Sequence, residues 1–304
     1  MLSVPALRHG LVTTAVPLVA CALVAAVAWG SWQAAQRQLA GLTARSTGEI
    51  VSVTTDVVRV RWQPPGGSAR TSEVELSRQP PSAGSRTQVA FDPADPSRLT
   101  LPGSTLIATA DGALADLACV AVVTAGLLVA SAVRGGNAAR AVRRPPRAVQ
   151  LRRVRVQSGL ISRSWLELED PPQRWIPVCF DPVLVTLPSP SEVLLHGDAR
   201  RDRWVAATIG GRWVYPSGTV RRVEPRGCRI DNPARPDADT ARRAREATLA
   251  RHLRVDLVLA LPAPVVGLLW AFVSGGGAAS WAGATLVTAA VGVWAGAYRG
   301  SDPT

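Results

Sequence analysis

The sequence has 304 residues, is 47% hydrophobic and carries a formal net charge of +12. Its mean hydropathy is positive (+0.14) although it contains 26 glycines and 24 prolines. This combination excludes an ordinary soluble domain and places part of the chain in lipid.

Four windows are long and apolar enough to cross the roughly 30 Å hydrocarbon core of a bilayer as helices. They are residues 11–31, 113–133, 255–273 and 278–298. Strand-like sequence fills the loops between them. We therefore predict an α+β membrane protein, with four transmembrane α-helices and two small antiparallel β domains (barrel or meander).

Positive charge is concentrated on one side of these predicted spans. Residues 32–112 hold eight arginines against seven acids, whereas residues 134–254 hold 24 arginines against 12 acids. Cytoplasmic flanks of membrane helices keep excess positive charge. We therefore expect a multi-pass protein of the cell membrane, with residues 1–10 and the end of the sequence both in the cytoplasm.

The first apolar segment has two alternative interpretations. Residues 18–21 (LVAC) have the form of a lipobox, and residues 26–28 (AVA) have the form of a signal-peptidase site. The apolar run continues past Cys21 without the polar residues usual at the start of a mature lipoprotein. This favours a retained anchor over lipidation or cleavage.

Residues 46–102 are predicted to form an extracytoplasmic β domain. Val58, Val60 and Trp62 alternate with Arg59 and Arg61, which is the period of a half-buried strand. Several such runs are separated by turn residues, so we expect four or five antiparallel strands. The core of so short a domain should be modest, and packing on the membrane surface or on a partner is a reasonable hypothesis.

This segment resembles a known family through residues 47–51 (TGEIV), 58–62 (VRVRW) and 89–98 (VAFDPADPSR). The family is a short β-rich domain of unknown function that occurs in actinobacterial integral membrane proteins and ends in an aromatic-Asp-Pro-x-Asp-Pro motif. The resemblance covers about a fifth of the chain and implies a β domain after a first span. It carries no catalytic residues to transfer.

The two Asp-Pro pairs in this motif have two interpretations. Proline presets φ and aspartate bonds to local amides, which makes Asp92-Pro93 and Asp95-Pro96 successive turns. Two nearby carboxylates could instead begin a calcium site, although the further ligands of a cage are missing. We favour the turns.

An arginine-rich linker, residues 134–147, leads into a predicted cytoplasmic β domain at residues 148–228. Its predicted strands include residues 183–187 and 219–223, and Gly210-Gly211 has the form of a tight hairpin loop. Its arginines and tryptophans suggest nucleic acid, but outward-facing arginines beside anionic lipid explain them better. We expect no nucleic-acid partner. The arginines and tryptophans of this predicted domain that could suggest nucleic acid are Arg200, Arg201, Arg203, Arg221, Arg222, Arg226, Trp204 and Trp213.

Residues 239–254 are predicted to form one basic juxtamembrane helix, capped by Asp239 and continuous with the third span. Pro262 and Pro264 should kink that span. The arginines that flank the spans are expected to contact anionic lipid headgroups. They are Arg134, Arg140, Arg143, Arg144, Arg251 and Arg254.

Three acids lie within or beside the spans and are candidate membrane-embedded functional residues: Asp111, Asp116 and Asp256. Their positions near the bilayer surface weaken the case for an ion path. Gly292 and Gly296 form a GxxxG pair that permits close helix packing, either within the chain or between copies in a homo-oligomer.

No catalytic pattern stands out. The three histidines are scattered, and there is no Walker loop, GxGxxG, HExxH or GxSxG. None of the four cysteines is paired at metal-ligand spacing, so we expect free thiols, no metal and no cofactor. The leading hypothesis is a non-enzymatic scaffold or signalling protein of the cell envelope that binds another membrane or envelope protein. The alternative is a small transporter or channel, or an accessory subunit of one.

Overall fold

The computed structural model describes residues 5–77 and 81–304 and shows an α+β protein. These residues form two compact units, and the long helices contribute to both. Among the described residues, unit 1 comprises residues 5–20, 123–266 and 284–304, and unit 2 comprises residues 21–77, 81–122 and 267–283. The described helices are α1 (Pro5–Ala40), α2 (Thr105–Val142), α3 (Pro182–Val185), α4 (Ala238–Glu246), α5 (Leu249–Asp256), α6 (Ala263–Ser274) and α7 (Ala278–Arg299).

Three of these helices are long and apolar enough to cross a membrane: α1 from Arg8, α2 and α7. The predicted third span is not one helix. Residues Leu249–Ala260 and Ala263–Ser274 meet at a bend of 42°. Pro262 and Pro264 lie at this break, where each lacks the amide proton that a continuous helix needs. The predicted kink is confirmed, whereas four separate transmembrane helices are not.

Unit 2 contains a five-stranded antiparallel sheet in the order β3-β2-β1-β4-β5. The predicted alternation is confirmed, because Val58, Val60 and Trp62 are buried and the arginines between them are exposed. The ring centres of Trp62 and Phe91 lie 4.8 Å apart, and the indole N–H of Trp62 donates a hydrogen bond to Ser72 Oγ. The strands are β1 (Ala44–Thr54), β2 (Val57–Trp62), β3 (Arg70–Glu75), β4 (Arg86–Phe91) and β5 (Leu99–Thr100).

The Asp-Pro pairs form turns, as predicted. The amide of Ala94 donates to Asp92 Oδ1 at 2.9 Å, and the amide of Ser97 donates to Asp95 Oδ1 at 3.1 Å. The hydroxyl and amide of Ser97 lower the pKa of Asp95, because both hydrogen bonds favour the ionised carboxylate.

Unit 1 contains a seven-stranded antiparallel sheet in the order β11-β10-β9-β6-β7-β8, with β12 paired to β6. One face carries a large core that includes Leu151, Leu166, Ile176 and Leu184. A smaller apolar cluster occupies the opposite face. The strands are β6 (Pro146–Ser158), β7 (Ile161–Leu168), β8 (Trp175–Val178), β9 (Ser191–His196), β10 (Ala206–Ile209), β11 (Arg212–Val214) and β12 (Cys228–Asp231).

Two predicted strands of this sheet are absent. Of residues 183–187, the first three lie in helix α3, which forms because Asp181 is extended and its Oδ1 accepts the amide of Val183 at 3.0 Å. Pro182 follows at the first helical position, where its fixed φ suits a helix start. Residues 219–223 form an isolated bridge instead, in which Arg221 exchanges backbone hydrogen bonds with Trp175, and the amide of Val220 donates to the carbonyl of Arg203.

The predicted basic helix 239–254 is two helices, α4 and α5. Asp237, rather than Asp239, caps α4 by accepting the amide of Thr240 at 2.7 Å. Thr248 starts α5 by accepting the amide of Arg251 at 3.4 Å. The chain breaks between them because Thr248 adopts an extended conformation to make this cap.

Candidate functional site

Helix α5 carries two buried polar residues on one face. His252 and Asp256 are four residues apart, which places their side chains on adjacent turns. Both residues are buried, and the carboxylate of Asp256 has no exposed surface. Burial of a carboxylate is costly unless it is paired, so its neighbours decide what this site can do.

His9 of α1 completes the cluster in unit 1. Its Nε2 lies 2.9 Å from Asp256 Oδ2, and its ring centre lies 4.7 Å from that of His252. The ring of His252 in turn packs in a T-shaped arrangement with the ring of Phe180, in the segment that follows β8, with the ring centres 5.0 Å apart. We call His9, His252 and Asp256 the His-Asp cluster.

Gly296 of α7 makes room for this carboxylate. A Cβ at that position would lie only 2.4 Å from Asp256 Oδ1. One helical turn earlier, a Cβ at Gly292 would lie 2.4 Å from the carbonyl oxygen of Leu259. The GxxxG pair therefore acts within the chain and lets α7 approach the end of α5 and the 3₁₀ turn Leu257–Ala260 that follows.

The chemistry available to the cluster is proton exchange and hydrogen bonding. A His-Asp hydrogen bond fixes the orientation and tautomer of the imidazole. Asp256 Oδ1 is buried and has no hydrogen-bond partner in the described chain. No group of three His, Cys, Asp or Glu residues within residues 5–77 and 81–304 has a geometry that could hold a metal ion.

Comparison with protein-family models, with curated proteins and with solved structures finds no match. Function must therefore be argued from this chain's own geometry. The resemblance of the first β domain to a family of unknown function stays a prediction.

The other two predicted acids lie in different settings. Asp116 is half-buried in unit 2, where its Oδ1 accepts the indole N–H of Trp270 at 2.9 Å. Asp111 is exposed near the start of α2. The His-Asp cluster therefore contains only one of the three predicted acids.

Four of the predicted lipid-contact arginines make contacts with protein groups, among them Arg140, which donates to Asn137 Oδ1 at 3.1 Å. Arg134 donates to the carbonyl of Tyr298 and to the sulfur of Cys179, and its guanidinium lies 4.9 Å from the Tyr298 ring centre. Nη1 of Arg144 lies 2.9 Å from Asp202 Oδ2, and Nη1 of Arg251 lies 3.1 Å from Glu246 Oε2. Lipid contact stays a prediction for all six arginines, of which four are exposed: Arg140, Arg143, Arg251 and Arg254.

A second buried charged pair joins β6 to the last residues of the sequence. Arg153 Nη2 lies 2.6 Å from Asp302 Oδ2, and the hydroxyl of Ser164 donates to the same oxygen at 2.6 Å. Burial alone would raise the pKa of Asp302, but the Arg153 guanidinium and these hydrogen bonds hold the pKa below its ordinary value. Asp302 also donates its amide to the carbonyl of Ser162.

Sequence reasoning found Asp256 but missed both of its histidine partners. His9 and Asp256 are 247 positions apart, so no local pattern could connect them. The spacing of His252 and Asp256 was the only available signal, since residues four apart share a helix face.

Proposed function

We propose that this chain is a multi-pass membrane protein of the cell envelope, and a non-enzymatic scaffold or signalling protein that binds a partner through its two β domains. The observation that carries the proposal is that apolar helices alternate with two sheet domains, each with its own hydrophobic core. Folded modules held at a membrane by several helices are suited to presenting binding surfaces. We take the first domain as extracytoplasmic and the second as cytoplasmic, from the excess of arginine around the second.

The contacts of the second β domain support an even number of membrane crossings after it. His252 of helix α5 packs on Phe180 of this domain. After α7, Asp302 forms an ion pair with Arg153 of the same domain. The chain between His252 and Asp302 therefore starts and ends at the same domain. With α1 and α2, this favours four crossings in which the bent α5–α6 pair is the third.

In-cell photo-crosslinking tests the proposal. The cross-linker is placed at exposed Val51 in the first domain and at exposed Leu160 in the second, with exposed Val122 of α2 as the lipid-facing control. We expect a discrete partner from Val51 or Leu160 that Val122 does not capture. Failure to recover a partner at either domain would contradict the proposal.

The His-Asp cluster favours a second candidate function, ion-coupled transport. A buried carboxylate beside two histidines in a bent membrane segment is a candidate proton site. Asp256→Asn should abolish such transport in proteoliposomes, while Asp111→Asn, at an exposed position, should not. Unchanged partner binding with these variants would leave the scaffold proposal in place.

A further inference from the structure

Four of the ten residues that line a cleft on the second β domain are arginines. The cleft has a volume of about 570 Å³ and is bordered by β6, β7 and the segment 221–226. Arg163 lies on β7, and three further arginines come from the segment: Arg221, Arg222 and Arg226. These four side chains, together with Trp165, are called the arginine cleft below.

The positive charge of the arginine cleft is not neutralised by the protein. In the described parts of the chain, no carboxylate oxygen comes within 4.0 Å of its four guanidinium groups. Glu224 also borders the cleft, but its carboxylate lies 2.9 Å from Nη1 of Arg229. Arg229 also forms ion pairs with Glu167 and Asp231. The acids near the cleft are therefore paired with an arginine that lies outside it.

Arg163 is half-buried, whereas the other three arginines are exposed. The Nε of Arg163 is buried and has no hydrogen-bond partner among the described residues. Burial, followed by the positive charges of Arg221, Arg299 and Arg134, lowers the pKa of Arg163 to about 10. A buried charge without a counter-charge costs free energy, and a bound anion would offset that cost.

Trp165 holds two of the guanidinium groups in place. The guanidinium carbons of Arg163 and Arg221 lie 5.0 and 5.2 Å from its ring centre. The indole is itself fixed, because Trp165 is buried in the small cluster with Val154, Val156 and Trp175. Arginines stacked in this way lose little further freedom when a ligand binds.

We propose that the arginine cleft binds a phosphate group, with Arg163 and Arg221 as its principal ligands. Guanidinium groups match phosphate oxygens through paired N–H donors. Arg134 and Arg299, whose charges act on Arg163, follow the apolar stretches of α2 and α7, so a lipid headgroup is one source of the phosphate. A soluble phosphorylated molecule is the other. The site does not depend on the protein partner proposed above.

Two binding experiments on the full chain distinguish a lipid headgroup from a soluble phosphorylated molecule as the source of the phosphate. Inorganic pyrophosphate is titrated calorimetrically into the protein in phosphatidylcholine nanodiscs. Short-chain phosphatidic acid is titrated into the protein in neutral detergent and followed by tryptophan fluorescence. Saturable binding of pyrophosphate supports a soluble ligand, and saturable binding of phosphatidic acid alone supports a lipid headgroup.

Matched variants test whether the binding occurs in the cleft. Arg163→Met and Arg221→Gln should each weaken binding by about tenfold or more, because a charged hydrogen-bond donor is lost. Arg221 is exposed, so its substitution does not threaten folding. Arg245→Gln, at an exposed position on α4, removes the same charge and should leave the Kd unchanged. Saturation with neither probe, or equal weakening by Arg221→Gln and Arg245→Gln, would overturn the proposal.

Discussion

Arg153 shows how one side chain can hold separate parts of unit 1 together. From β6 it reaches Asp302 at 2.6 Å and Asn232 Oδ1 at 2.8 Å. Asn232 in turn donates to carbonyl oxygens at the end of α3, including those of Leu184 and Leu187. The guanidinium is therefore a central member of a buried polar network.

Substitution of Asp302 should destabilise the second β domain strongly. Asp302→Asn leaves the buried Arg153 without its counter-charge, and loss of one partner of a buried ion pair costs about 3–5 kcal/mol. Thermal unfolding of the full chain in detergent measures the effect. The control is Glu73→Gln, which breaks the exposed Arg59–Glu73 pair and should cost less than about 1 kcal/mol. Equal effects of the two variants would contradict the prediction.

The same carboxylate should make stability depend on pH. The folded-state pKa of Asp302 lies below its ordinary value of 3.8. Its contribution is therefore fully present above that value and is lost as the pH falls through the folded-state pKa. We expect the difference in free energy of unfolding between the native chain and Asp302→Asn to be constant near neutral pH. This difference should shrink as the pH falls below the ordinary pKa of Asp302. A difference that grows on acidification would contradict this prediction.

At the scale of elements, α7 lies close to the turn after α5 at Gly292, where an added Cβ would be 2.4 Å from the carbonyl oxygen of Leu259. The backbone of Leu259 cannot yield as a flexible side chain would, so a methyl group at Gly292 must displace a helix. Gly292→Ala should lower the free energy of unfolding by about 1–3 kcal/mol. Gly126→Ala is the matched control, since no described atom beyond its own helix backbone and chain neighbours lies within 4 Å of the added methyl group, and alanine favours a helix. If the Gly292→Ala and Gly126→Ala chains had equal free energies of unfolding, the prediction would be contradicted, because α7 could then move away from Leu259 without loss of stability.

At the scale of the whole molecule, the proposed orientation can be tested with thiols. Cys228 is exposed in the second β domain, and Thr55→Cys would add an exposed thiol in a turn of the first. An impermeant maleimide should label the thiol introduced by Thr55→Cys in intact cells, and should label Cys228 only after the cells are opened. Labelling of Cys228 in intact cells would reverse the proposed orientation.

The sequence by itself determined the features that depend on local patterns. Alternation of apolar and polar residues with a period of two predicted the strand with Val58, Val60 and Trp62. Runs of apolar residues predicted α1, α2 and α7, the three helices that are long and apolar enough to cross a membrane. The Asp-Pro turns and the break at Pro262 and Pro264 follow from the chemistry of single residues. These predictions hold because each depends on neighbours within a few positions.

Only the tertiary structure decided which distant side chains meet. The His-Asp cluster, the Arg153–Asp302 pair and the arginine cleft each join segments that are far apart in the sequence. Helix α3 replaced a predicted strand, because the cap supplied by Asp181 outweighed an apolar run of strand length. A single sequence records what each residue prefers, whereas packing decides which buried charges find partners and which, like Arg163, do not.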